Sequence, residues 1–184
     1  MATFDAKLAE ANSLFQKGVD LLLELQTQKG ADGVTKGDAA PATALWAKAL
    51  TRLVEAPAAS NADKGVAAVS TAEVCANLAV WDGTVGGAKS FAQDALDAID
   101  RAHEVATYSG DTAADLAFWR QQMTAILGYG GSDNAPAPTW ASGGCAYLDR
   151  SCQHSGGAAV AGGGFALLAA LAAIAYAVKR NRAT

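Results

Sequence analysis

Histidine is scarce in this chain, with two in 184 residues, and no GxSxG, HExxH, Walker or GxGxxG pattern occurs. His103 and His154 lie far apart in the sequence, with no cysteine or carboxylate at ligand spacing, so a zinc or iron site would need more ligands than they supply. The glycine runs GYGG and VGG have no strand-to-helix context and read as loops. Aromatic residues make up only 7%, too few for a thick aromatic core, whereas 19 glycines and abundant alanine suit closely packed helices. No segment alternates apolar and polar residues for long enough to make a strand. The N-terminal MATFDAKLAEANSLF lacks a basic region followed by an apolar one, so it carries no visible secretory signal. Basic residues are also in short supply over most of the chain. Residues 1–155 hold all 18 acidic residues and 11 of the 14 basic ones, a balance of −7. A body of that sign repels phosphate backbones and excludes nucleic acid as a partner. The expectation is a protein that is not an enzyme and carries no cofactor.

What is present is helical periodicity. Phe4, Leu8, Ala11, Phe15, Leu22 and Leu25 keep a helical period up to Gln28, after which KGADGVTKGDAA breaks it. Pro41 suits a first turn, and Leu45, Trp46, Ala49, Leu50 and Leu53 form a stripe that Pro57 ends. Asn61 is the expected N-cap of a third helix that runs to Trp81, and DGTVGG is expected to be a loop. Phe91, Ala95, Ile99 and Ala102 mark a fourth helix that stops before Gly110. Asp111 or Thr112 is expected to cap a fifth, with Thr112 and Asp115 at capping-box spacing and Leu116, Trp119, Met123 and Ile126 on one side. The fold class is therefore all-α: a small up-and-down bundle of four or five short helices over residues 1–127, plus one C-terminal transmembrane helix.

Residues 128–155 are rich in glycine and proline and read as a juxtamembrane linker. Tyr129, Trp140 and Tyr147 within it suit either the headgroup level or a fold-back onto the bundle. Residues 156–178 contain no charge, enough to cross a hydrocarbon layer of about 30 Å at about 1.5 Å per residue. The run ends at the basic tail 179–184, with Lys179, Arg180 and Arg182. At 100° per residue, Gly162, Ala166, Ala169, Ala173 and Ala177 share one sector and Val160, Leu167, Leu171, Ile174 and Val178 the opposite one. The small face is the expected helix-packing face, and its expected partners are integral membrane subunits and the lipid bilayer. The positive-inside tendency puts the tail in the cytoplasm or its stromal or matrix equivalent, and the helical domain on the luminal, periplasmic or intermembrane side. Cys145 and Cys152, with six residues between them, are candidates for a disulfide that fits an oxidising compartment. The missing secretory signal points the other way, to a tail anchor with the domain in the cytosol, unless a presequence is removed. Cys75 is expected to be a buried free thiol.

Among the remaining polar residues, His103 reads as solvated on the polar side of the fourth helix. His154 is the candidate cofactor-binding residue, as an axial ligand to a pigment or haem, or sits at the headgroup level. Asp94, Asp97, Asp100 and Glu104 fall on one helix face, the pattern of a solvated stripe or of a surface for cations or a basic partner. Trp81-Asp82-Gly83 between two helical segments resembles the W-x-G turn of small secreted helical-hairpin proteins, which are shorter and lack a membrane span. The last 40 or so residues are similar to the C-terminal sorting signals of some bacterial surface proteins, a pattern that any stop-transfer anchor largely shares. The leading expectation is a non-catalytic accessory or structural subunit of a multi-subunit membrane complex, photosynthetic or respiratory. The alternatives are a free-standing surface protein with a sorting or anchor signal, a cofactor or pigment carrier, and a virion membrane protein.

Overall fold

Five helices succeed one another along the chain, and no strand occurs among the described residues, which are 2–30 and 33–128 of a computed structural model. Helix α1, Phe4–Lys29, begins where the Thr3 hydroxyl accepts from the Ala6 amide at 3.3 Å. It ends at Gly30, whose φ of 81° turns the chain in a way that other residues resist. Its buried residues Ala11, Gly18, Val19 and Leu22 fall on one side of the helix at 100° per residue, the side of the apolar stripe in the sequence. A tight turn follows. Thr35 donates its amide and hydroxyl to the Asp38 carboxylate at 2.9 and 2.7 Å, and Asp38 returns its own amide to the Thr35 hydroxyl at 3.2 Å.

Helix α2, Ala40–Val54, takes Pro41 in its first turn, where the missing amide costs nothing. It buries Ala42, Trp46, Ala49 and Leu53 and stops ahead of Pro57. Helix α3, Asn61–Trp81, is capped by Ser60 and not by Asn61. The Ser60 hydroxyl accepts from the Asp63 amide at 3.0 Å, and the Asp63 carboxylate accepts from the Ser60 amide at 3.2 Å. The two orphan amides are thus satisfied reciprocally, which an Asn61 cap one residue later would not achieve.

Helix α4, Val85–Val105, begins inside DGTVGG, so only the first part of that stretch is a turn. The Thr84 hydroxyl accepts from the Gly87 amide at 3.0 Å and is itself held by the Asp82 carboxylate, to which it donates at 2.8 Å. A threonine cap anchored in this way outweighs the low helix propensity of Gly86 and Gly87 at the first turn. Helix α5, Gly110–Gly128, starts before the expected caps, which places Asp111 and Thr112 in its first turn and Asp115 among its buried residues. With 26, 15, 21, 21 and 19 residues, the helices are not the short ones expected, although their ends lie close to the breaks in periodicity.

The helices form two groups. The α1–α2 hairpin is antiparallel, because Lys7 pairs with Glu55 at 2.7 Å at one end and Lys29 with Asp38 at 2.5 Å at the other. Helices α3, α4 and α5 pack on one another, α3 against α4 most extensively, and α5 lies against both. The groups meet chiefly where α2 rests on α3, while α1 barely touches α3. Helix α3 is the central element. Thirteen of its 21 residues are buried, including every residue from Val74 to Trp81, so it has no solvent face over that stretch and no amphipathic period. Alanine dominates what surrounds it: Ala88, Ala92, Ala95, Ala98 and Ala102 line the inner side of α4. Small side chains there let two backbones approach closely, and dispersion over many contacts supplies the stability that helices of this length lack alone.

Candidate functional site

Most of the residues singled out by the sequence lie outside the described part of the chain. That holds for the small face Gly162, Ala166, Ala169, Ala173 and Ala177, for Cys145 and Cys152, for His154, and for Lys179, Arg180 and Arg182. The expected transmembrane helix belongs to the same segment. Among the described residues, no helix is long and apolar enough to cross a membrane. The polar residues that can be placed are therefore the acidic stripe, His103 and Cys75, together with several that the sequence did not single out.

Asp94, Asp97, Asp100 and Glu104 are all exposed on α4, opposite its alanine-lined inner side. Two of the four have polar partners among the described residues. Asp97 accepts from the Gln93 side chain at 2.8 Å, and Asp100 pairs with Arg120 of α5. A helix that turns alanines inward must turn its carboxylates outward, so the stripe follows from the packing of α4 on α3. Exposed ion pairs of this kind contribute about 0–1 kcal/mol each, and here they trim the repulsion of a negative surface.

His103 is exposed in the last turn of α4, where a cation favours the helix dipole. Its ring stands edge-on to Tyr108, with centroids 5.7 Å apart and planes at 80°. Tyr108 belongs to the α4–α5 connection and folds back onto the start of α3. Its hydroxyl lies 3.0 Å from where a Cβ at Gly65 would be, and Val105 fills the other side at 3.5 Å. Among the described residues that hydroxyl is buried without a hydrogen-bond partner, and desolvation raises its pKa above the usual tyrosine value. One signal of this notch is visible in the sequence: a glycine in the first turns of an otherwise apolar helix, which marks a close approach as readily as a weak helix.

Cys75 is a free, buried thiol, as expected. Burial, with the negative charge of Asp94 adding and Arg101 opposing, pushes it up to about 12. A thiol so poised stays protonated and is a poor nucleophile. Ser70, also on α3, is buried with its hydroxyl unpartnered, and Asn77, fully buried, donates to the Glu73 carbonyl at 2.9 Å. Among the described residues, no three His, Cys, Asp or Glu side chains gather as a metal-binding group.

A close contact between α1 and α2 is not visible in the sequence. The Trp46 indole is fully buried, donates to the Phe15 carbonyl at 3.0 Å and tilts against the Phe15 ring at 5.7 Å. Gly18 gives it room. The helical period places Trp46 in a stripe, but no rule of spacing in the sequence links it to a glycine 28 residues earlier.

What the described residues present outward is a negative, ion-paired helical surface, and what they bury is a close-packed apolar interior. No protein-family profile, curated protein or solved structure matches this chain.

Proposed function

We propose that the protein is a non-catalytic accessory or structural subunit of a multi-subunit membrane assembly, held there by the segment 156–178. The observation that carries this reading is in the sequence: 23 residues without charge, followed at once by Lys179, Arg180 and Arg182. The division of that segment into a small face and a bulky face favours docking on other membrane helices over solitary anchoring, because close backbone approach is what small residues permit in lipid. The bundle is the extramembrane part in this reading. Its exposed carboxylates, Asp94, Asp97 and Glu104, offer a contact surface for a basic subunit.

Detergent extraction followed by native sizing and subunit identification tests the reading. Co-migration with integral membrane subunits is the expected result, and migration as an isolated monomer overturns it. Gly162→Leu or Ala166→Leu should weaken retention of the partner, whereas Leu171→Val should leave it unchanged.

A second reading, a surface protein whose C-terminal segment is a sorting signal, is favoured by the order of Gly and Cys, apolar run and basic cluster near the end of the sequence. Intact-mass measurement separates the two. Loss of about the last 25 residues supports sorting and removes the docked span.

A further inference from the structure

We propose that the α1–α2 hairpin opens from the α3–α5 group as one unit, hinging in the connection between Glu55 and Ser60, while the other three helices stay folded. Three independent features point to this. The first is the division of packing. Helix α2 meets α1 along most of its length and meets α3 over a much smaller face, and α1 barely touches α3. The buried residues of α2, Ala42, Trp46, Ala49 and Leu53, fall within about 60° of one another at 100° per residue. A stripe so narrow is largely taken up by α1, since Trp46 and Ala42 both close over Gly18. Only its margin is left for α3.

The second feature is that the hairpin carries its own fastenings. Trp46 is bonded to the Phe15 carbonyl and packed on the Phe15 ring. Lys7 pairs with Glu55, Arg52 with Glu10 and Glu55, and Lys29 with Asp38, so both ends of the hairpin are tied within it. Movement of the hairpin as a body breaks none of these.

The third feature is the connection. Residues 55–60 include Pro57 and hold the local bonds Ala56 amide to Leu53 carbonyl, at 3.2 Å, and Ala58 amide to Ala56 carbonyl, at 2.9 Å. A change of φ and ψ over a few such residues is the usual form of a hinge. On the other side of it, α3 begins with its own capping box at Ser60 and Asp63, so the start of that helix does not depend on α2. Opening uncovers the side of α3 on which α2 rests.

Spin-label distances in the full-length protein in detergent, with the native cysteines replaced, test the proposal. Labels at the exposed positions Lys17→Cys of α1 and Lys48→Cys of α2 report on the hairpin itself, and labels at Lys48→Cys and the exposed Gln93→Cys of α4 report on its docking. The Lys48–Gln93 pair is expected to show a second, longer distance whose share grows at low urea, while the Lys17–Lys48 pair keeps one distance. A single Lys48–Gln93 distance up to the urea concentration at which the whole protein unfolds, or loss of the Lys17–Lys48 distance together with it, overturns the proposal.

Discussion

Trp46 and Gly18 share one space: a Cβ on Gly18 would stand 2.7 Å from the indole Cδ1 and 3.1 Å from the Ala42 carbonyl oxygen. The ring cannot swing aside, because its nitrogen is bonded to the Phe15 carbonyl and its faces are buried. Gly18→Ala should therefore cost about 1–3 kcal/mol through overpacking, more than the ~1 kcal/mol by which alanine favours a helix. Gly86, in the first turn of α4, has open space where its Cβ would be, so Gly86→Ala should stabilise by about 0.4–1 kcal/mol. Urea unfolding of the two variants should move the midpoint in opposite directions with the slope unchanged.

Tyr108 separates the value of its ring from that of its oxygen. Tyr108→Phe removes a hydroxyl that is buried and unpartnered among the described residues and keeps the ring, so the unfolding free energy should stay or rise by up to about 1 kcal/mol. Tyr108→Ala should cost about 2–3 kcal/mol, because the notch over Gly65 empties. A larger loss for the phenylalanine variant would mean that the hydroxyl has a partner in solution.

The turn between α1 and α2 sets an acid limit. Lys29, followed by the Thr35 amide and hydroxyl, holds the Asp38 carboxyl well below its ordinary value of 3.8. Glu55 is lowered in the same sense by Lys7 and then Arg52. A carboxylate depressed in the folded state binds fewer protons there than in the unfolded chain. Its stabilising effect is therefore complete above the unfolded value and is lost as the pH falls through the folded one. Thermal midpoints should hold between pH 7 and about pH 5 and fall below about pH 4. Asp38→Asn should flatten that acid decline.

Cys75 sets the alkaline limit. Its thiol, pushed up to about 12 by burial, stays protonated in the folded protein while the unfolded thiol ionises near 9.0. A group raised in this way favours the fold fully below its unfolded value and progressively less above it, so stability should decline from about pH 9 upward. Cys75→Ala should remove the part of that decline that starts near pH 9 and leave the part that Tyr108, also raised by burial, adds at higher pH. In a C145A/C152A background, a thiol reagent at pH 8 should label Cys75 only at the rate at which the protein opens.

Much of the helical layout could be read from spacing, because helices with a single apolar face announce their period. Phe4 to Lys29 and Ala40 to Val54 are of this kind, and their ends fall within a few residues of the breaks in the pattern. The caps were harder. Ser60 and Asn61 are both good N-caps, and only the S-x-x-D spacing to Asp63 distinguishes them. Thr84 was hidden because the glycines after it argue for a loop, whereas its own hydroxyl and the Asp82 carboxylate fix the first turn of α4. Residues 74–81 carry a different lesson. VCANLAVW has no polar face, and a helix without one is central; the stretch was read simply as one more member of the bundle. Gly18 and Gly65 are legible only in part, since a glycine in a helix says that something is near without saying what. The acidic stripe and the buried Cys75 were legible because charge and thiol burial follow from the helical period alone.

The position of α3 also bears on how the chain is made. Its apolar stretch is finished when residue 81 has been added, yet α4 and α5, which cover two of its sides, end only at residues 105 and 128. At about 5–20 residues per second, a ribosome needs roughly 2–10 s to supply them. For that interval the nascent polypeptide displays a sticky rod with one flank sheltered by α2, and a chaperone has a few seconds in which to hold it.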